Sequence, residues 1–238
     1  MAPFLAEQRE EVNSDRDQLD SLFWIPVPDS GILRSMIALV DYGMGNLRSV
    51  EKALRKVGGE VRIATKGDHL ADAAQVVLPG VGAFRDCMHN LKKQKLVEPL
   101  LQFLRTGKPF LGICLGYQLL FERSAEGGDV AGLGVLKGAV VRFPDPRLKV
   151  PQIGWNQIAI QKRKCPLLQG VEDGSHLYFV HSYFPEPQET AIVCASTDYG
   201  VRFASMIWTA AIFGCQFHPE KSQAIGLKIL ENFVRLGK

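Results

Sequence analysis

The chain has 238 residues, 46% of them hydrophobic, with 28 Lys and Arg against 25 Asp and Glu for a formal net charge of +3. That is enough apolar material for the core of one globular domain, and no uninterrupted apolar run approaches the roughly twenty residues of a membrane helix. The basic residues are spread rather than clustered, which removes the argument for a nucleic-acid partner, and five cysteines without C-x-x-C spacing suit a reducing, cytoplasmic compartment and speak against structural zinc.

Residues 1–35 carry seven acidic side chains against three basic ones and mix polar runs with Phe23-Trp24-Ile25-Pro26-Val27-Pro28. A secretory signal would be basic and then apolar, and a transit peptide would be poor in acids. The segment reads either as an N-terminal extension or as the product of a start site placed too early, with Met36 opening a single domain over 36–238.

Apolar strands are expected at 36–41, 60–65, 75–79 and 109–113, alternating with helical patterns. The clearest helix is 46–57, where Leu47, Val50, Ala53, Leu54 and Val57 share one face behind Asn46 as a cap. Gly43-Met44-Gly45 lacks the third glycine of a dinucleotide fingerprint and reads as a strand–helix turn. The alternation predicts an α/β fold with a central, mostly parallel sheet and helices on both sides. From 134 to 217 the pattern changes to successive strands, including 150–160, 176–184, 190–196 and 203–217, which predicts antiparallel additions to that sheet. A terminal helix follows Ser222, with Ile225, Ile229 and Phe233 on one stripe. Cys87, Cys194 and Cys215 sit in apolar contexts and read as core, whereas Cys165, before Pro166, reads as a loop thiol.

Three segments carry chemistry. In Gly112-Ile113-Cys114-Leu115-Gly116 a thiol stands between glycines where an apolar strand meets Tyr117-Gln118-Leu119-Leu120-Phe121-Glu122, a run of helix formers. This is a nucleophile elbow, and a helix N-terminus there stabilises a thiolate. In Gln216-Phe217-His218-Pro219-Glu220 an extended backbone points His218 and Glu220 the same way, so the carboxylate can hold one imidazole nitrogen while the other faces Cys114. In Pro79-Gly80-Val81-Gly82 a glycine-rich turn after a strand exposes backbone N–H groups, and with the N–H of Leu115 it is suited to an oxyanion. His69, His89 and His176 have no metal-ligand spacing, and His181 has no carboxylate two residues on, so none rivals His218.

Together these segments resemble the class I (triad) glutamine amidotransferases. Three more, Met36-Ile37-Ala38-Leu39-Val40-Asp41-Tyr42-Gly43-Met44-Gly45-Asn46-Leu47, Val150-Pro151-Gln152-Ile153-Gly154-Trp155-Asn156 and Tyr178-Phe179-Val180-His181-Ser182-Tyr183, narrow the resemblance to the glutaminase subunits of imidazole glycerol phosphate synthases. The resemblance implies the family's three-layer αβα fold and glutamine hydrolysis through a cysteinyl thioester, without cofactor or metal. It makes Cys114 the nucleophile, His218 the base and acid, and Glu220 the orienting carboxylate. It assigns Gly82, Gln118, Glu122, Ser182 and Tyr183 to the substrate and Val81 and Leu115 to the oxyanion hole. It further implies a (β/α)8-barrel cyclase that forms a heterodimer with the chain, receives the ammonia, and contacts Asn46, Trp155 and Lys221. A glutaminase serving a different synthase is the alternative. The sequence departs from the family at Tyr117, often Met, and at Gln152, often His and near the implied interface. Ser205-Met206-Ile207-Trp208-Thr209-Ala210-Ala211-Ile212-Phe213 lacks the Asp, Asn or Gly that usually turns a hairpin.

Overall fold

The structure, a computed structural model, describes residues 36–237; the expected extension over 1–35 lies outside the described residues. The first half alternates as the pattern predicts: β1 (Met36–Val40), α1 (Leu47–Lys56), β2 (Glu60–Ala64), α2 (Asp68–Ala71), β3 (Gln75–Leu78), α3 (Phe84–Lys93), α4 (Val97–Arg105) and β4 (Phe110–Ile113). A one-turn helix, α5 (Leu115–Gln118), leads into β5 (Phe121–Ser124), β6 (Val130–Ala131) and β7 (Leu136–Arg142). Then come β8 (Gln152–Gln157), β9 (Ala159–Ile160), β10 (His176–His181), β11 (Tyr183–Pro187), β12 (Val193–Asp198), β13 (Arg202–Thr209), β14 (Ile212–Cys215) and α6 (Gln223–Arg235).

Eight strands form the main sheet in the order β2-β1-β3-β4-β14-β13-β12-β9. The first five run parallel and the last three continue antiparallel. Strand alternation divides the core in two. Ile37, Leu39, Val77, Leu111 and Ile113 pack in one cluster with Val50 and Leu54 of α1 and Ile229 and Phe233 of α6. Ala38, Val40, Val76, Leu78 and Phe110 pack in the other with Phe84, Met88 and Leu91 of α3 and Leu100 and Phe103 of α4. Burial on both faces is why β4 is an unbroken buried run rather than an alternation. The result is the three-layer αβα arrangement.

The second half departs from the expectation that its strands all join this sheet. β11-β7-β5-β6 form a separate four-stranded sheet, and β8 and β10 a two-stranded ribbon. The expected strand 150–160 breaks at the buried Ile158, and 176–184 breaks at Ser182, so that β10 pairs with β8 while β11 pairs with β7. The 203–217 stretch is a hairpin turned by Ala210-Ala211, with Ala210 at φ +47° and its carbonyl accepting from Trp208 Nε1 at 2.8 Å. Asn46 occupies the cap position of α1, but its side chain makes no capping bond; its carbonyl accepts from the Ser49 and Val50 amides instead. Cys165 is not an open loop thiol but is fully buried beside Cys194. Among the described residues no helix is long and apolar enough to cross a membrane.

Candidate active site

β3, β4 and β14 are parallel neighbours, and their register (Leu78 opposite Gly112, Ile113 opposite Cys215) brings their carboxyl ends level. The three chemistry-bearing segments leave from these ends, the usual ligand position in such sheets. Cys114 is the first residue beyond β4 and sits at φ +53°, ψ −110°, outside the regions a side chain prefers. Its amide is tied to Cys215 O at 2.7 Å. The flanking glycines are sterically required: a Cβ on Gly116 would stand 1.8 Å from Leu78 O, and one on Gly112 would stand 2.7 Å from Gly116 O. The expected helix through Glu122 ends after one turn, because the Leu120 carbonyl accepts from the Val135 and Leu136 amides and Phe121 enters β5. So short a helix carries little macrodipole to place behind the Cys114 sulfur.

Cys114 Sγ lies 3.9 Å from Val180 O and 3.6 Å from Gln216 Nε2. His218 is buried, with Nδ1 2.8 Å from Glu220 Oε1. Only His218 is extended; Glu220 belongs to a 3-10 turn, Pro219–Lys221, that curls its carboxylate back onto the ring. The His218 amide donates to Tyr178 O at 2.9 Å, and its carbonyl accepts from Ser222 Oγ at 2.6 Å. Among the described residues Nε2 has no hydrogen bond of standard geometry. Burial disfavours the imidazolium, but the nearby Cys114 sulfur and the Glu220 carboxylate outweigh it and raise the His218 pKa from 6.5 to about 10.

The glycine turn is held from beneath. Tyr42 Oη donates to Pro79 O at 2.9 Å, and Cys87 Sγ lies 3.7 Å from Val81 O, with burial pushing the Cys87 thiol up to about 11. Val81 and Gly82 are exposed, Gly82 at φ +95°, and Leu115 is buried as the first residue of α5. Gln118 is buried and its Nε2 is committed, at 2.8 Å from Tyr183 O and 3.0 Å from Gln216 Oε1. Ser182 stands half-buried at the β10–β11 break.

Two acids differ in placement. Glu122 is exposed on β5, accepts from the Gly138 amide at 2.9 Å, and lines an open groove with Arg123, Ala139 and Gln188. Glu126, not singled out by sequence, accepts from the Phe84 amide at 2.9 Å just beyond the glycine turn, and burial raises its pKa. No local signal separates the two; only the path of the chain after β5 returns residue 126 to that turn. His181 is held between Tyr183 O (2.9 Å) and Gln152 Oε1 (3.0 Å), and burial lowers its pKa to about 4. It is a neutral core histidine, and Gln152 is buried against it rather than offered to an interface.

On the β8–β10 ribbon, Ile153 and Trp155 are 59% and 47% exposed. The Trp155 ring meets Tyr178 edge-on at 6.0 Å, and Lys221 Nζ lies 5.7 Å from the Tyr178 centroid. Trp155 and Lys221 are thus joined through Tyr178, a residue within the resemblance but given no role there, whose carbonyl also holds His218. Asn46 is not in this cluster; it follows Gly45, whose Cβ position is 3.5 Å from Pro79 Cγ at the glycine turn. His89 and His176 are exposed and His69 is half-buried on α2, apart from these groups.

Residues 38–236 match the family described as glutamine amidotransferase class-I. The chain is 52% identical over 203 residues to imidazole glycerol phosphate synthase subunit HisH of Geobacter sulfurreducens, a match spanning 83% of this chain and 97% of that protein. It is 51% identical over 204 residues to the HisH subunit of Syntrophotalea carbinolica, spanning 83% and 98%. Among solved structures, PurLQS from Thermotoga maritima aligns with a TM-score of 0.69 at 20% identity, over 85% of this chain and 99% of that one. A glutamine amidotransferase aligns with a TM-score of 0.66 at 17% identity, over 84% and 98%. These two likenesses establish the fold, and the sequence matches establish the family: the chain belongs to the class-I glutamine amidotransferases, in their HisH branch.

Proposed function

We propose that this chain hydrolyses glutamine to glutamate and ammonia, as the glutaminase subunit of a cytoplasmic imidazole glycerol phosphate synthase in histidine biosynthesis. The convergence of Cys114, His218 and Glu220 on the ends of adjacent strands, in a chain half identical to HisH proteins, carries this reading. The Cys114 thiolate attacks the substrate's side-chain carbonyl carbon, and the resulting oxyanion is received by the Val81 and Leu115 amides. His218, oriented by Glu220, gives its proton to the departing nitrogen, so the C–N bond breaks, ammonia leaves and a thioester remains. His218 then takes a proton from water, whose oxygen attacks the thioester carbonyl and returns the thiolate. Gly82, Gln118, Ser182 and Tyr183 hold the rest of the amino acid. We place its ammonium end at Glu126, the acid beside the glycine turn, in preference to Glu122.

Ammonia in neutral water is mostly ammonium and does not attack, so the product is useful only if handed over in a shielded path. We assign Trp155 and Lys221, and Asn46 near the glycine turn, to contact with a (β/α)8-barrel cyclase in a heterodimer. The two exposed apolar side chains of the ribbon, Ile153 and Trp155, support such a contact. The test is glutamate release by the purified chain, alone and with a barrel cyclase and its nucleotide substrate. Strong stimulation that Cys114→Ala abolishes is the expected result. Turnover that survives Cys114→Ala overturns the chemistry, and Cys114-dependent turnover without stimulation overturns the partner.

A further inference from the structure

Gln216 is fully buried, with Nε2 3.6 Å from Cys114 Sγ. The two ends of an amide are told apart by what they bond. Tyr183 O only accepts, so the end of Gln118 that lies 2.8 Å from it is the NH2. That same NH2 reaches Gln216 Oε1 at 3.0 Å, which leaves the NH2 of Gln216 as the end facing the sulfur. One backbone carbonyl thereby orients two side-chain amides in series and presents a hydrogen-bond donor to Sγ. Another neighbour, Val180 O at 3.9 Å, accepts from a thiol but offers a thiolate nothing, and His218, the charged group nearby, is oriented by Glu220 rather than by the amide chain.

We propose that Gln216 is a catalytic residue that donates an N–H to the Cys114 thiolate, and that Gln118 is the positioning residue that keeps this donor turned toward the sulfur. The inference rests on the reading of Cys114 as the nucleophile. Physically, a buried thiolate on a one-turn helix has little macrodipole behind it, so a directed N–H is worth more than it would be at the head of a long helix. A neutral amide also supplies that donor without a second positive charge to compete with the His218 imidazolium.

The experiment follows alkylation of Cys114 by iodoacetamide at neutral pH, a reagent that needs no glutamine subsite, together with the ultraviolet thiolate absorbance lost in Cys114→Ser. Gln216→Met keeps the length of the side chain without its donor and is expected to slow labelling about tenfold and to lower the thiolate absorbance in parallel. Gln118→Met, at a residue whose amide NH2 bonds Tyr183 O and Gln216 Oε1 rather than the sulfur, is expected to slow labelling about threefold with the same loss of absorbance. A packing role alone leaves the absorbance unmoved. Wild-type labelling and absorbance in Gln216→Met overturn the proposal; if circular dichroism shows that variant unfolded, wild-type values in Gln118→Met overturn it instead. Glutamate release that persists in Cys114→Ser refutes the nucleophile reading itself, a different outcome from failure of the Gln216 donor alone.

Discussion

The Cys114 turn and the β8–β10 ribbon both contain a glycine beside a residue of functional interest, and the two glycines are opposites. A Cβ on Gly116 would stand 1.8 Å from Leu78 O, whereas Gly154, next to Trp155 and at φ +136°, has nothing within 4 Å of its Cβ position. At the turn, backbone packs on backbone, so the position of the sulfur is set by the sheet itself. At the ribbon, Ile153 and Trp155 are 59% and 47% exposed, with Trp155 resting edge-on against Tyr178, and their outward faces are left for another surface. Substitutions at the turn should therefore act with or without a partner, and those on the ribbon only with one.

The largest expected effect is that of Cys114→Ala, which should lower glutamate release by about a thousandfold or more in every assembly state. Gly116→Ala tests the steric side: a cost of about 3–5 kcal/mol in a denaturant titration is expected, because the displaced neighbour is backbone rather than a flexible side chain. A loss under about 1 kcal/mol would show that the Leu78 carbonyl yields to the new Cβ and that the turn is not held by backbone contact.

Glu220→Gln should lower turnover about a hundredfold and move its alkaline limb downward. The sign follows from the raised pKa of His218: the carboxylate helps hold the proton up to about 10, so its loss makes the proton donor fail at lower pH. The same shift makes His218 a stabilising group below its ordinary 6.5, with that contribution disappearing as pH rises through about 10. Urea midpoints of wild type and Glu220→Gln should accordingly converge toward high pH. An alkaline limb in the same place for both proteins would show that the carboxylate does not tune the ring.

Glu126→Gln is expected to raise the KM for glutamine about tenfold while Glu122→Gln changes it less than twofold; the reverse order would return the substrate's ammonium end to Glu122. On the ribbon, Trp155→Ala should leave the isolated chain unchanged and reduce stimulation by the cyclase about fivefold, measured at fixed cyclase concentration. Equal losses with and without the cyclase would mean that the ribbon belongs to the turn's machinery after all. Smallest of all, Cys87 should contribute under about a tenth of the label found on Cys114 at neutral pH, since burial pushes its thiol up to about 11.

Much of the site was legible because its parts are local. The elbow glycines, the His218–Glu220 pair and the turn at Pro79–Gly82 are each read within a few residues, and the parallel half follows from strands that are apolar throughout. The misreadings lie where local preference yields to tertiary pairing. Leu119-Leu120-Phe121 suits a helix, yet the Leu120 carbonyl and β5 are taken by the second sheet. Ser182 reads as strand interior, yet the chain changes partner there, from β8 to β7. His218 and Glu220 meet through a 3-10 turn rather than an extended strand, a geometry that a two-residue spacing does not distinguish.

The α/β alternation, the glycine-flanked Cys114 turn and the His218–Glu220 spacing are written in short stretches of sequence, because glycine sterics and hydrophobic periodicity act over short spans of chain. Which acid reaches the glycine turn, how Tyr178 joins Trp155 and Lys221 to His218, and how Gln118 and Gln216 line up toward the sulfur follow from the packing of distant segments. Those pairings link residues as much as 102 positions apart in the chain. Amides, carboxylates and rings take whichever partners the sheets bring within about 3–6 Å, and no local pattern records that choice.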